Sequence, residues 1–272
     1  MSRTLTQAQC EAAAEALFAA ERDRRQIGLL SRQYPGMTLD DAYAVQAALI
    51  ARKRAAGLGV IGWKIGLTSR AMQQALDITT PDSGLLMTDM AFDDGATVPA
   101  GRFIQPRIEA EIAFVMKAPL AGASVTRADV LAATECAAPA LEILDTRILR
   151  ADPETGAMRR IQDTVADNAA NAGIVLGTGR HAPGDFDLRR VGAIVRRDGV
   201  VEETGLGAGV LDDPVTGILW LVHRLAEYGQ GIAPGQVLLS GSFIRPIEAP
   251  PGSRFDADFG PFGSVTLAFA GE

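Results

Sequence analysis

The chain has 272 residues, 47% of them hydrophobic, and carries a formal net charge of -7. That length buries a sizeable core, as one large domain or as a main domain with a smaller partner. The acidic balance, with arginine and lysine scattered, argues against a nucleic-acid partner, and no apolar run approaches the roughly 20 residues that span a bilayer, which argues against a membrane protein.

Thr6 and Gln9 read as a capping box, and Cys10, Ala13, Ala14, Leu17 and Phe18 recur at helical spacing. The chain therefore opens on an amphipathic helix rather than an apolar signal segment. Cys10 and Cys136 form neither a disulfide framework nor a metal spacing, which suits small core fillers in a reducing cytoplasm. A Pro35-Gly36 turn precedes a second cap, Thr38 with Asp41. Leu39, Ala42, Tyr43, Leu49 and Ile50 then form the stripe of a helix ending near Gly57.

From there the pattern turns to strands, predicted over residues 59–68, 96–99, 103–116, 136–146, 172–178, 190–197, 236–243 and 263–270 with Gly- and Pro-rich turns between. Two helices interrupt them, one starting at Thr126 with Asp129 and one at Asp213-Pro214 that runs to Gly229. The expected fold is α+β: a helical N-terminal segment over residues 1–75 and a mixed, mostly β main domain over residues 76–272.

Four stretches carry chemistry. In "GVIGWKIGLTS", residues 59–69, Lys64 shares a strand face with Gly62 and Gly66. A lysine on such bare backbone is either a solvated surface residue or a group that a ligand can approach closely. In "RIEAEIAFVM", residues 107–116, strand alternation puts Glu109 and Glu111 side by side on one face while Ile108, Ala110, Ile112 and Phe114 face the core. In "APALEILDTRI", residues 138–148, Glu142 interrupts an apolar run. Such a carboxylate must be paired, protonated or bound to a cation. Together Glu109, Glu111 and Glu142 offer an all-oxygen ligand set for a hard divalent ion, Mg²⁺ or Mn²⁺; salt bridges to Arg107 and Arg147 are the alternative. The fourth stretch, "DTVADNAANAG" at residues 163–173, holds Asp163, Asp167, Asn168 and Asn171, which read equally as turn and cap residues or as a functional loop.

Familiar constellations are missing. The two histidines, His181 in a turn-like stretch and His223 beside a helix stripe, read as structural and leave little room for a Ser-His-Asp or Cys-His mechanism. The glycines of "GLGAG", residues 205–209, match no dinucleotide fingerprint and read as turn glycines.

Taken in order, "GWKIGLTS", "PDSGLL", "QPRIEAEIAFV", "PALEILDTRI", "DTVADNAANAG" and "GSF" before Arg245-Pro246 resemble the hydratase and decarboxylase branch of the fumarylacetoacetate hydrolase superfamily. The resemblance runs from "YPGMTLDDAYAVQ" at residues 34–46 to the C-terminal "GSVTLAF". It implies a rolled mixed-β fold with helical additions, a cytoplasmic homo-oligomer, and a Mg²⁺-dependent hydratase of aromatic meta-cleavage catabolism. The "DPETG" insert at residues 152–156 points to a seven-carbon 2-oxo dicarboxylate substrate rather than a five-carbon dienoate or a decarboxylase substrate.

By the same resemblance the metal ligands fall on Glu109, Glu111 and Glu142, the catalytic lysine on Lys64, and the acidic residue of the Pro-Asp motif on Asp82. Asp163 and Asn168 are expected at the pocket. The distal carboxylate needs a cationic partner, for which Arg147, Arg159, Arg160 and Arg245 are candidates.

Overall fold

The protein is described here from a computed structural model covering residues 3–75 and 80–271. Three threonines start helices as the spacing predicts. Thr6, Thr38 and Thr126 each accept a hydrogen bond from the N–H three residues on, and the side chains of Gln9, Asp41 and Asp129 accept from the threonine N–H in return. These boxes open α1 (Gln7–Asp23), α3 (Leu39–Ala55) and α5 (Arg127–Ala133), with the short α2 (Leu30–Gln33) and α4 (Arg70–Ala75) beside them. Asp213 caps α7 (Pro214–Ala226), and α6 (Ile161–Ala166) lies where only turns are predicted.

The strands in chain order begin with β1 (Val60–Gly66), β2 (Asp82–Met87), β3 (Ala91–Phe92), β4 (Thr97–Val98) and β5 (Arg107–Met116). They continue with β6 (Leu120–Ala121), β7 (Thr134–Leu144), β8 (Asn171–Leu176), β9 (Gly192–Arg197) and β10 (Val200–Leu206). The last are β11 (Gly231–Ile232), β12 (Val237–Ser242), β13 (Ile247–Glu248), β14 (Arg254–Asp258) and β15 (Ser264–Phe269). The main sheet has the order β2-β1-β12-β5-β7-β8-β3 with β13 on β5, and a second sheet runs β10-β9-β14-β15-β4. Ile108, Ile112, Phe114 and Leu141 of the first share one core with Val195, Phe255, Val265 and Leu267 of the second, and Val215, Ile218, Leu221 and Val222 of α7 complete it. Sheet on sheet with a covering helix is an α+β arrangement, as the sequence implies.

α1 and α3 pack through Cys10, Ala13, Leu17, Ala42, Val45 and Leu49, and their core is finished by Ile148, Val165 and Ala166 from about 100 residues further along the chain. The helical segment thus does not close a core by itself. β1 sits inside the main sheet between β2 and β12, so a division after residue 75 separates a central strand from its neighbours. The packed helical unit ends before Val60; residues 76–79, where that division falls, lie outside the described residues.

Besides the two-residue strands β3, β6, β11 and β13, three longer strands escape the periodicity reading. β10 pairs with β9 across Asp198-Gly199, both at positive φ (52° and 82°), a hairpin turn whose Asp-Gly signal is plain in the sequence. β14 alternates Phe255 and Ala257 inward with Asp256 and Asp258 half exposed, and β2 is masked by Gly84. Among the described residues no helix is long and apolar enough to cross a membrane.

Candidate active site and metal centre

β5 and β7 run antiparallel with Glu109 opposite Glu142. Alternation keeps Glu111 on the same face as Glu109, so three carboxylates meet on one patch of sheet. A carboxylate oxygen from each lies within 4.8 Å of the other two. Glu111 and Glu142 are fully buried. The protein supplies little to balance them. Gly241, whose φ of 115° suits only glycine, donates its N–H to Glu111 Oε2 at 2.7 Å. Glu111 Oε1 and both oxygens of Glu142 have no hydrogen-bond partner.

Lys64 approaches from β1. Its Nζ lies 3.4 Å from Glu142 Oε1 and donates to Ala169 O at 3.1 Å. Asp82, the first residue of β2, faces Gly66 across the β1–β2 ladder. A Cβ on Gly66 would lie 2.3 Å from Asp82 Oδ1 and 3.0 Å from Lys64 Nζ, so this glycine makes room for the protein's own acid and base. A Cβ on Gly62 would meet Val237 O at 1.8 Å. Gly62 therefore serves internal packing, whereas Gly66 leaves room for these two side chains and also lines the cavity.

Burial sets the electrostatics. It raises the carboxyl pKa of Glu109, pushes Glu111 up to about 7 with help from the neighbouring Glu109 charge, and holds Glu142 well above the usual carboxylate range. Burial also raises Asp82, against the opposing charge of Lys64 and the Gly66 N–H. For Lys64 burial works against the charged form, but Glu142, Asp82, Glu109 and Glu111 outweigh it and keep the ammonium protonated. Four carboxyl groups thus surround one ammonium, and among the described residues only the Arg107 charge, acting on Glu109, adds to it.

A cavity of 410 Å³ opens over this patch, lined by Lys64, Asp82 and Glu109 and by Arg107, Arg159, Arg245, Ser242 and Phe243. Of the arginines considered for a distal carboxylate, Arg159 and Arg245 reach the wall. Arg159 Nη1 donates to Ile148 O at 3.2 Å, and Arg245 pairs with Glu203 at 2.6 Å near the mouth. Arg107, first read only as a salt-bridge partner for the glutamates, lines the cavity with its guanidinium in no ion pair or hydrogen bond among the described residues. Its position at the start of β5, two residues before Glu109 on the same face, is the signal that marks it.

The other expectations land elsewhere. Arg147 is buried in an ion pair with Asp167 rather than facing the cavity. Arg160 is the N-cap of α6. Asp163 accepts from Ser31 N at 2.8 Å, Ser31 Oγ at 2.7 Å and Arg160 N at 2.9 Å, and so ties α2 to α6. Asn168 spends its amide on Leu85, accepting from Leu85 N at 2.8 Å and donating to Leu85 O at 2.9 Å. Asp163 and Asn168 thus bond to Ser31 and Leu85, which the fold brings beside them, and neither lines the cavity. His181 and His223 bond to Phe262 O and Val125 O and take no part in the site.

No protein-family model matches the chain. It is 47% identical over 256 residues to 2-oxo-hept-4-ene-1,7-dioate hydratase of Escherichia coli, covering 94% of this chain and 96% of that protein. The chain belongs to the hydratase and decarboxylase branch of the fumarylacetoacetate hydrolase superfamily. A solved structure from this branch, 4-oxalocrotonate decarboxylase from Pseudomonas putida G7 complexed with magnesium and adipate, superposes with a TM-score of 0.92 at 34% identity over 98% of this chain and all (100%) of that one. Fumarylpyruvate hydrolase from Pseudomonas aeruginosa, solved with Mn²⁺ and pyruvate, shares the superfamily fold at a TM-score of 0.56 and 12% identity over 77% of this chain and 89% of that one.

Proposed function

We propose that the chain is a metal-dependent hydro-lyase that hydrates 2-oxo-hept-4-ene-1,7-dioate, through its dienol, to the 4-hydroxy-2-oxo diacid. The observation that carries this reading is the trio Glu109, Glu111 and Glu142, in which Glu111 Oε1 and both Glu142 oxygens are buried and accept no hydrogen bond, beside a cavity bearing three arginines. All-oxygen donors of excess negative charge fit a hard divalent cation, Mg²⁺ or with similar ligand preference Mn²⁺, and the three glutamates would hold it. When bound, that cation supplies positive charge to the developing enolate oxygen of a 2-oxo acid. Identity of 47% to a hydratase of this name over nearly the whole chain supports the reaction class.

The chain's own residues do the rest. Lys64 and Asp82 meet above Gly66, where they share proton transfer to C5 of the dienol and activation of the water that adds at C4. Proton to C5 gives the conjugated 2-oxo-3-ene; water oxygen to C4 and proton to C3 complete the hydration. Arg107, Arg159 and Arg245 are the cationic wall for the distal carboxylate. A homo-oligomeric assembly belongs to this reading, and sedimentation equilibrium tests it.

A decarboxylase reading is favoured by one observation, the TM-score of 0.92 to 4-oxalocrotonate decarboxylase. Ultraviolet decay of the dienol, followed on metal-stripped protein with and without Mg²⁺ while carbon dioxide is monitored, separates the two. Mg²⁺-dependent decay without gas is expected. Gas release from 4-oxalocrotonate, with no decay of the seven-carbon dienol, overturns the hydratase assignment.

A further inference from the structure

Asn168, Ala169 and Ala170 adopt the left-handed backbone conformation in succession, with φ of 52°, 54° and 59°. L-residues other than asparagine avoid this region even singly, and three in a row form a turn that must be imposed from outside. The supports are plain. Arg147 Nε bonds Asp167 Oδ1, its Nη2 bonds Asp167 O, its Nη1 donates to Asn171 O at 3.1 Å, and its own N–H donates to Asp167 Oδ2 at 2.8 Å. The guanidinium thus grips both ends of the turn. The Asn168 amide clips it to Leu85, Asn171 Nδ2 donates to Leu85 O at 3.0 Å, and Asp145 N donates to Ala170 O at 2.9 Å. Gly84 lets the turn come this close, since a Cβ there would lie 2.4 Å from Asn168 O.

The turn delivers one group to the site. Ala169 O accepts the only hydrogen bond that the Lys64 ammonium makes among the described residues. An ammonium among four buried carboxylates has no other neutral anchor, and without one it is drawn wholly towards the glutamates.

We infer that Arg147, acting through Asp167, is a positioning residue: it imposes the left-handed turn that aims Ala169 O at Lys64 and so fixes where the ammonium stands. The kinetic consequence rests on the reading of Lys64 as a proton-transfer group; the geometric one does not.

The chain has only three lysines, Lys53, Lys64 and Lys117. Protein labelled with ¹⁵N-lysine therefore gives a readable ammonium spectrum, in which a clamped, buried Nζ exchanges slowly. Lys53, paired with Glu21 at 2.6 Å between α3 and α1, reports that the helical unit is intact; Glu21 also feels the Arg147 charge, so Arg147→Lys, which keeps that charge, is the matched control. In Arg147→Ala the Lys64 signal is expected to disappear while that of Lys53 stays, and kcat for the dienol to fall about 10- to 100-fold with KM little changed. Adding Ala169→Gly and Ala170→Gly, which take positive φ without strain, is expected to restore the Lys64 signal and much of kcat.

A Lys64 signal and kcat unchanged in Arg147→Ala overturn the inference. So does a raised KM at constant kcat without glycine rescue, which would make Arg147 a substrate-binding residue. If the Lys53 signal is lost too, Arg147→Lys carries the same test, because it keeps the buried charge and gives up the fork of bonds to Asp167 O and Asn171 O. Should wild-type protein not turn the dienol over, the spectra still decide the clamp, and the failure falls on the hydratase reading.

Discussion

Two clusters of buried charge, which come closest in the chain at Glu142 and Arg147, obey opposite rules. Arg147 and Asp167 are balanced, one cation to one anion, with the guanidinium also bonded to two backbone carbonyls. Burial pushes the Asp167 carboxyl up to about 6 even so, with Arg147 opposing. Glu109, Glu111 and Glu142 are unbalanced, sharing the Lys64 charge with Asp82, and three of their oxygens accept no hydrogen bond. A satisfied buried pair holds structure in place, whereas an unsatisfied one stores a demand for charge that a ligand can meet. The contrast separates scaffold from site without reference to any relative.

The sharpest break of that comparison is chemical. Lys64→Ala or Asp82→Ala is expected to lower turnover about 10²- to 10⁴-fold while calorimetric Mn²⁺ binding persists; near-normal rates in both would remove them from the mechanism. Glu142→Gln should do the reverse of a scaffold change, abolishing Mn²⁺ binding in the same calorimetry while leaving the metal-free melting temperature unchanged or higher, because one of four acidic groups crowded round a single ammonium is gone. Asp167→Ala strands the Arg147 charge and is expected to cost about 3–5 kcal/mol in denaturant unfolding. If Glu142→Gln destabilised the metal-free protein as much as Asp167→Ala, the two clusters would not differ as described.

Smaller effects sharpen the picture. Arg107→Ala should raise KM for the seven-carbon diacid by roughly 1.5–3 kcal/mol equivalent, as for a lost charge-assisted bond, and hardly touch a five-carbon monoacid. The pH dependence follows from the raised carboxyls. A carboxyl with a raised folded-state pKa binds more protons folded than unfolded, so its contribution is full below the unfolded value of 4.5 and is lost as pH rises through the folded one, about 7 for Glu111. Metal-free protein should therefore lose stability between those pH values, and added Mg²⁺ should restore it; a flat melting temperature over that range would contradict the charge imbalance.

Much of this was legible in one dimension. A period of two along residues 107–116 predicts that Glu109 and Glu111 share a face, and an apolar run predicts that Glu142 is buried. The threonine caps of α1, α3 and α5 follow from local spacing, because a cap is made by residues three apart. The Asp198-Gly199 hairpin was legible too, though strand periodicity alone passes over it, since exposed Val200 and Val201 blur the alternation of β10. Asp163 and Asn168 were legible as polar residues in a dense stretch, and Arg147 as a charge at the end of an apolar one, but none as scaffold, because their partners Ser31, Leu85 and Asp167 are reached only through the fold.

The sequence by itself determined the elements, the like-charged glutamate face, the lysine beside it and the scarcity of histidine, all set by short-range periodicity and composition. Tertiary structure alone decided that Glu142 stands opposite Glu109, that Arg107 rather than Arg147 faces the cavity, and that three left-handed residues present a carbonyl to Lys64. Those outcomes depend on register between strands and on contacts across 20 to more than 100 residues, as from Lys64 to Ala169, and no local pattern encodes which of several arginines finds its carboxylate first.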